Sequence, residues 1–345
     1  MKTRRILLIV FSCALALLVT AMLPAAADRL EAIRIDGGAQ GTGGIQENGN
    51  IYTFTRDING SLVVQRDNIV IDGAGFTLSG TGAWEPKGVD LTGRSNVTVK
   101  NLAVQYFQFG FWLENSSGNV VSNCTVTWNS EWGIELRNSS MGNTVTGNIL
   151  VNNHYGGIRV RDGSNGNTFS GNTITDHGRG IDLATSENNM VKGNYIGDNN
   201  DGLATSDALD TIAGNTITEC FDRGVFLNGA RGNIVSANNI TGNGVGVLSS
   251  TGDNNTISGN NFVDNYAQAL CIGAAADRWD GNYWSDYNGT GSEPYIIDAS
   301  NQDSSPLADA TAIPELPLWT VYAVLAVMAA AVCAAKRKLR SRGDV

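Results

Sequence analysis

Apolar residues in the middle of the chain come in short alternating sets rather than in long runs. Ile174, Ile181 and Leu183 form one such set and Ile217, Val225 and Leu227 another, with Thr, Asp, Arg and Asn between them. No stretch of this region keeps the 3.6-residue apolar spacing over about ten residues that a helix needs. The pattern predicts repeats of two or three short strands, alternate side chains pointing in and out. Gly, Asn, Ser and Asp punctuate the strands.

The strands recur in one phrase. It reads G-N-T-I-T at Gly171 to Thr175 and again at Gly214 to Thr218, followed by G-I-x-L at Gly133 to Leu136 and Gly180 to Leu183. Asn marks one phase of it, at Asn101, Asn123, Asn148, Asn172, Asn194, Asn215, Asn238, Asn260 and Asn282, in steps of 21 to 25 residues. A period in this range signals stacked repeats. Strands without helices make the expected fold an all-β, single-stranded parallel β-helix of about ten coils, a rod on the order of 50 Å long. The Asn anchors are expected to be structural, since Asn tolerates tight corners and its amide can bond up and down a stack.

The flanks divide the chain further. Residues 28–60 are Gly-broken and predict an N-terminal cap, which an open stack of strands requires. Coils are expected over 61–298, with an excursion around Trp84 on one face. Trp279, Tyr283, Trp284, Tyr287 and Tyr295 then form a closing aromatic cap. Residues 299–315 read as a linker. At the start, Lys2, Arg4 and Arg5 precede an apolar run and Ala25-Ala26-Ala27, the pattern of a signal peptide over 1–27. Near the end, Leu316 to Ala335 is long enough to span a bilayer. The basic tail 336–345 predicts its cytoplasmic side, and the run also has the form of a surface-protein sorting signal. An exported, cell-surface protein with its body outside is expected.

Charge and cysteine narrow the function classes. Without the basic residues of the two ends and Asp344, 15 basic residues face 32 acidic ones. That balance excludes a nucleic-acid binder working by phosphate neutralisation. Cys124, Cys220 and Cys271 are too few and too far apart for a disulfide framework, so the stack must stabilise itself. Eight N-x-S/T sequons, at Asn59, Asn96, Asn115, Asn123, Asn138, Asn239, Asn254 and Asn288, are candidate glycan acceptors. Asn123 is expected to be excluded as an anchor.

Asp67 to Gly75, the G-N-x-I and G-I-x-L repeats, and Asn282 to Tyr287 with Pro294 to Asp298 resemble the NosD-like, carbohydrate-binding-and-sugar-hydrolase repeat proteins. These are right-handed β-helices of the pectate-lyase-like superfamily, and the likeness runs from about Gly49 to Leu307. The closing phrase resembles that of archaeal surface β-helix proteins. There an Asp- and Gly-rich insert separates its halves; here it is cut to Asn288 to Glu293. The resemblance implies polysaccharide or envelope-glycan partners, and for NosD-like members a link to copper-enzyme maturation.

Chemistry is expected where the repeat is broken. His154 and His177 each stand three residues before the Gly of a G-I-x-L strand, so stacking is expected to bring them about 5 Å apart. Asp176, Arg179, Asp198, Asp201, Asp222 and Arg223 share that strip, beside the outward series Trp112, Glu135, Arg159, Asp182. Three readings stay open. Asp176, His177, Arg159 and Asp182 could move protons in a lyase, epimerase or glycosidase. His154, His177 and Asp198 could bind a transition metal, with Ca2+ the other cofactor candidate. Or the charges neutralise one another, and the strip only binds glycans with Trp112, Trp128, Trp132, Tyr155 and Glu135. No epimerase, polygalacturonase or lyase signature is present. The favoured expectation is a non-catalytic, surface-anchored glycan binder.

Overall fold

The computed structural model describes residues 31–35, 39–40, 44–81, 86–274, 276–290 and 292–313. The expected signal peptide, Trp84, the 316–335 run and the basic tail lie outside them. The described chain winds about eleven turns of a parallel β-solenoid and contains no helix. One turn supplies the strands Thr144–Thr146, Ile149–Val151 and Gly156–Arg161 to a first, second and third sheet. Each pairs in parallel register with its counterpart in the next turn, Thr168–Ser170, Thr173–Thr175 and Arg179–Ala184.

The interior is built from the expected inward positions. Ile134, Ile158, Ile181, Leu203 and Val225 stack in one column with no exposure. Each such burial contributes roughly 1.5–3 kcal/mol. The Gly of G-I-x-L has a steric cause. A Cβ on Gly180 would lie 2.4 Å from the Gly202 carbonyl oxygen of the next coil and 2.8 Å from Ile196. At the corner between the first and second sheets, Gly147, Gly171 and Gly193 take φ near +60°, a conformation glycine adopts without penalty.

Three polar columns run through the corners. In one, Asn148, Asn172, Asn194, Asn215, Asn238 and Asn260 are buried. Each donates its backbone and side-chain N–H to the Oδ1 of the next; Asn172 reaches Asn194 at 2.9 and 3.0 Å. A second column holds Asn119, Asn143 and Asn167, and a third Asn129 and Asn153. One phase differs from expectation. Cys124, not Asn123, occupies the inner position and donates to Asn148 Oδ1, while Asn123 sits exposed one residue earlier at φ 51°. Asn101 is displaced in the same way, at φ 54° with Leu102 buried in the inner position, so neither it nor Asn123 is an anchor, and the Asn123 sequon stands at the surface, contrary to expectation.

Both ends depart from the expected boundaries. Ile58–Val64 is one strand running through position 60, and it pairs with both the second and third sheets. At the other end the aromatic cap forms: Trp284 stacks between Phe262 and Tyr295 at 4.3 and 4.1 Å. The expected linker is instead bound to the rod. Asp303, fully buried, accepts from Asn282 N, Asn282 Nδ2 and Trp284 Nε1 at 2.8, 3.0 and 3.1 Å, so it closes the ladder.

Candidate functional site

The outward face of the third sheet carries the charged series in the expected register: Trp112 opposite Glu135, Glu135 opposite Arg159, Arg159 opposite Asp182. The preceding outward position reads Arg179, Asp201, Arg223 over three coils. Parallel pairing stacks these side chains roughly 4.8 Å apart, and opposite charges then interlock. Arg223 grips Asp201 with two bonds of 2.8 and 3.0 Å. Arg179 reaches Asp182 at 3.0 Å and Asp201 at 3.6 Å, and Arg159 reaches Asp182 at 3.5 Å. Both carboxylates are buried beneath the guanidinium groups.

An open groove of about 550 Å³ runs over this zipper, walled by Trp132, Tyr155, Glu131 and Asn200. Tyr155 is its accessible aromatic, 55% exposed. Trp132 is not a free platform. Its ring lies where a Cβ on Gly156 would be, within 2.1 Å, and Arg159 covers it at 5.4 Å. Of the residues singled out from sequence, the groove gathers Arg159, Asp182, Trp132 and Tyr155, with Arg179, Asp201 and Arg223 of the expected strip. Glu131 and Asn200 belong to corner loops whose length varies from coil to coil, so no spacing pointed to them.

The other candidates lie elsewhere. His177 is buried and takes an Asn position in the third polar column. Its Nδ1–H donates to Asn199 Oδ1 at 3.1 Å, and its Nε2 accepts from the Asn153 amide at 3.1 Å. Burial holds its pKa down at about 3, against a smaller upward pull from Asn199. Both nitrogens are thus occupied and the ring is neutral, which removes it from proton transfer and from metal binding. His154 does not stack on it, because the 153–157 corner is one residue longer than the 177–180 corner; Asn153 does. His154 is exposed and packs on Tyr155 at 5.0 Å.

Asp176 and Asp198 stand at the left-handed corner leaving the second sheet, in the same column as Trp128, and outside the groove. Loss of water pushes the Asp176 carboxyl up. Asp198 goes to about 6 by the same cause, with the like charges of Asp176 and Glu219 adding to it. Trp112 is enclosed between Lys87 at 4.7 Å and Arg137 at 5.2 Å, its Nε1–H on Glu114. Glu135 has no exposure and sits 2.6 Å from Arg161 Nε. Burial raises its carboxyl despite Arg161 and Arg159. Neither can meet a ligand.

Two family models match in sequence: "Periplasmic copper-binding protein (NosD)" over residues 154–289 and "Right handed beta helix region" over 87–209. The described residues form a parallel β-helix, similar over 87–209 to the right-handed β-helix family and over 154–289 to NosD. Comparison with curated proteins finds no match. Among solved structures this β-helix is similar to a mannuronan C-5 epimerase A-module from Azotobacter vinelandii. The two share 15% identity and a TM-score of 0.50, over 65% of this chain and 76% of that one. It is also similar to DFA-IIIase from Arthrobacter chlorophenolicus without its lid, at 13% identity and a TM-score of 0.55, over 73% and 71%. The copper in the family description does not fit this β-helix. Its two imidazoles are apart and one is consumed by the ladder, and among the described residues no three His, Cys, Asp or Glu side chains converge as ligands.

Proposed function

We propose that the third-sheet groove holds an extended glycan, that the protein does so without turning it over, and that it works as an exported, membrane-anchored surface protein. The observation that carries this reading is the zipper itself. Three guanidinium groups line the groove over two buried carboxylates, and each carboxylate lies between two arginines. Such carboxylates position arginine donors and are not themselves free for proton transfer, while Glu131, the other carboxylate of the groove, accepts from the Gln108 amide. The donors suit carboxylate and hydroxyl oxygens, since guanidinium binds planar oxyanions by paired bonds. Tyr155 adds an exposed ring for a sugar face. The guanidinium edges that face the groove favour acidic glycans, although Glu131 and Asp222 stand beside them and the body is acidic. A mannuronan epimerase on the same fold supports that substrate class by analogy of architecture alone.

The test is binding and turnover on a panel of acidic and neutral polysaccharides. Binding to an acidic polymer without unsaturated or shortened products is expected, and Arg179→Ala should weaken it about tenfold, the loss of one charge-assisted contact. Products that vanish in Asp182→Asn would instead make this a polysaccharide-modifying enzyme. Absence of binding to every polymer would remove the glycan reading altogether.

A further inference from the structure

The outward face of the third sheet changes character along the rod. Beyond Asp182 its column continues as Ala204, Phe226, Leu248 and Leu270. Of the flanking outward positions Val245, Ala267 and Ile272 are apolar, and Asn228 and Ser250, in the column of Ile272, are polar. Leu270 and Ile272 are 42% and 57% exposed, and at the corner entering this sheet Phe221 and Tyr266 stand out at 85% and 95%. A β-strand facing water normally alternates polar residues outward, so a contiguous apolar face of this kind marks an interaction surface. Arg223 covers Phe226 at 4.0 Å at the groove end of this face, while Phe221, Tyr266, Leu270 and Ile272 are exposed.

The course of the chain after the last coil says what covers them. Leu307 N donates to Asn282 O, and Thr311 then pairs both ways with Asn261, at 2.9 and 2.8 Å. Asn261 belongs to the same coil as Tyr266, Leu270 and Ile272. Only Ala312, Ile313, Pro314 and Glu315 separate Thr311 from Leu316, where the membrane-length apolar run begins. Fully extended, that link reaches about 17 Å. A run that crosses a bilayer would therefore hold this coil at the lipid surface.

We propose that the apolar end of the third sheet rests on the headgroup region of the bilayer entered by Leu316 to Ala335, with Phe221 and Tyr266 as interfacial anchors. This rests on reading that run as a membrane anchor. Aromatic rings favour the interface, where one edge is apolar and the other wet. Glu219, Asp222 and Asp264 border the patch and repel anionic headgroups, so the matching surface is zwitterionic. The groove begins at Arg223, beside Phe226, and so opens close to the headgroups, within reach of glycans lying along the membrane.

The test uses the full chain in phosphatidylcholine vesicles, with Tyr266→Cys carrying a polarity-sensitive thiol dye. Ser130→Cys, on the same corner of an early coil, is the control, and the unsubstituted chain labelled in parallel is the blank. Retention of the chain after an alkaline carbonate wash reports the anchor separately. Retention with quenching of the 266 label by brominated lipid, at least about twofold above the 130 label, is expected. Retention with equal or absent quenching at both sites overturns the patch while leaving the anchor. Loss of the chain in the wash overturns the anchor and the patch with it. Shielding of the 266 label without lipid, rising with protein concentration, would assign the face to a second copy of the chain and overturn the bilayer.

Discussion

His177 illustrates how a side chain chosen for its chemistry can be absorbed by packing. Imidazole offers one donor and one acceptor in a fixed arrangement, and here they reproduce the donor and acceptor of a ladder Asn. His177→Asn should therefore leave both stability and glycan binding nearly unchanged. His177→Ala leaves the Asn153 amide and Asn199 Oδ1 short of a partner, which costs about 1–3 kcal/mol in chemical unfolding and should not alter binding. Asp210 is the converse, a misfit in a ladder. It replaces Asn between Asn189 and Asn233, fully buried, and burial with Asp207 nearby pushes its carboxyl up to about 7. Asp207 is raised to about 6, again mainly by burial. These acids hold protons folded that they release unfolded, so their contribution is full below pH ~4 and is lost as pH rises through about 6 to 7. The depressed His177 works the other way, but only below its unfolded pKa of about 6.5. Urea midpoints should thus fall from pH 6 to pH 8, and Asp210→Asn should remove most of that fall. A midpoint equally pH-dependent in the variant would disprove the assignment.

A single coil cannot stand alone, because each strand satisfies its backbone only through the coils above and below. What distinguishes the coils is how they end. The last one is closed by the Phe262–Trp284–Tyr295 stack and by Asp303, which answers three ladder and indole donors at once. Asp303→Ala strands those donors in a buried site, and a loss of about 3 kcal/mol or more is expected, with fraying confined to the last coils in hydrogen exchange. Asp303→Asn keeps an acceptor and should recover part of it. The strands were predictable because alternation and Gly-rich corners are written locally. The closing segment was not, since residues 299–313 carry no repeat and their attachment to Asn282 and Asn261 is a long-range event.

Across the whole molecule, period and alternation sufficed for the architecture. A parallel β-helix repeats one local solution, so inward Ile and Leu, corner Gly and ladder Asn each announce themselves along the chain. They even set the outward order Trp112, Glu135, Arg159, Asp182, because strand register follows from the G-I-x-L phrase. Side-chain exposure did not follow. Trp112 and Glu135 hold outward positions yet are buried by Lys87, Arg137 and Arg161 from neighbouring coils, and Asn123 and Cys124 exchange roles through a one-residue phase. The corner loops differ in length by one residue, and that difference places Asn153 rather than His154 against His177. Spacing counted along one strand cannot register such a shift; only stacking measures it. The chain alone therefore determined a β-helix and its charged face. Which of those charges meet solvent, and how they lock into a groove of arginines over buried carboxylates, was settled by contacts between coils some 22 residues apart.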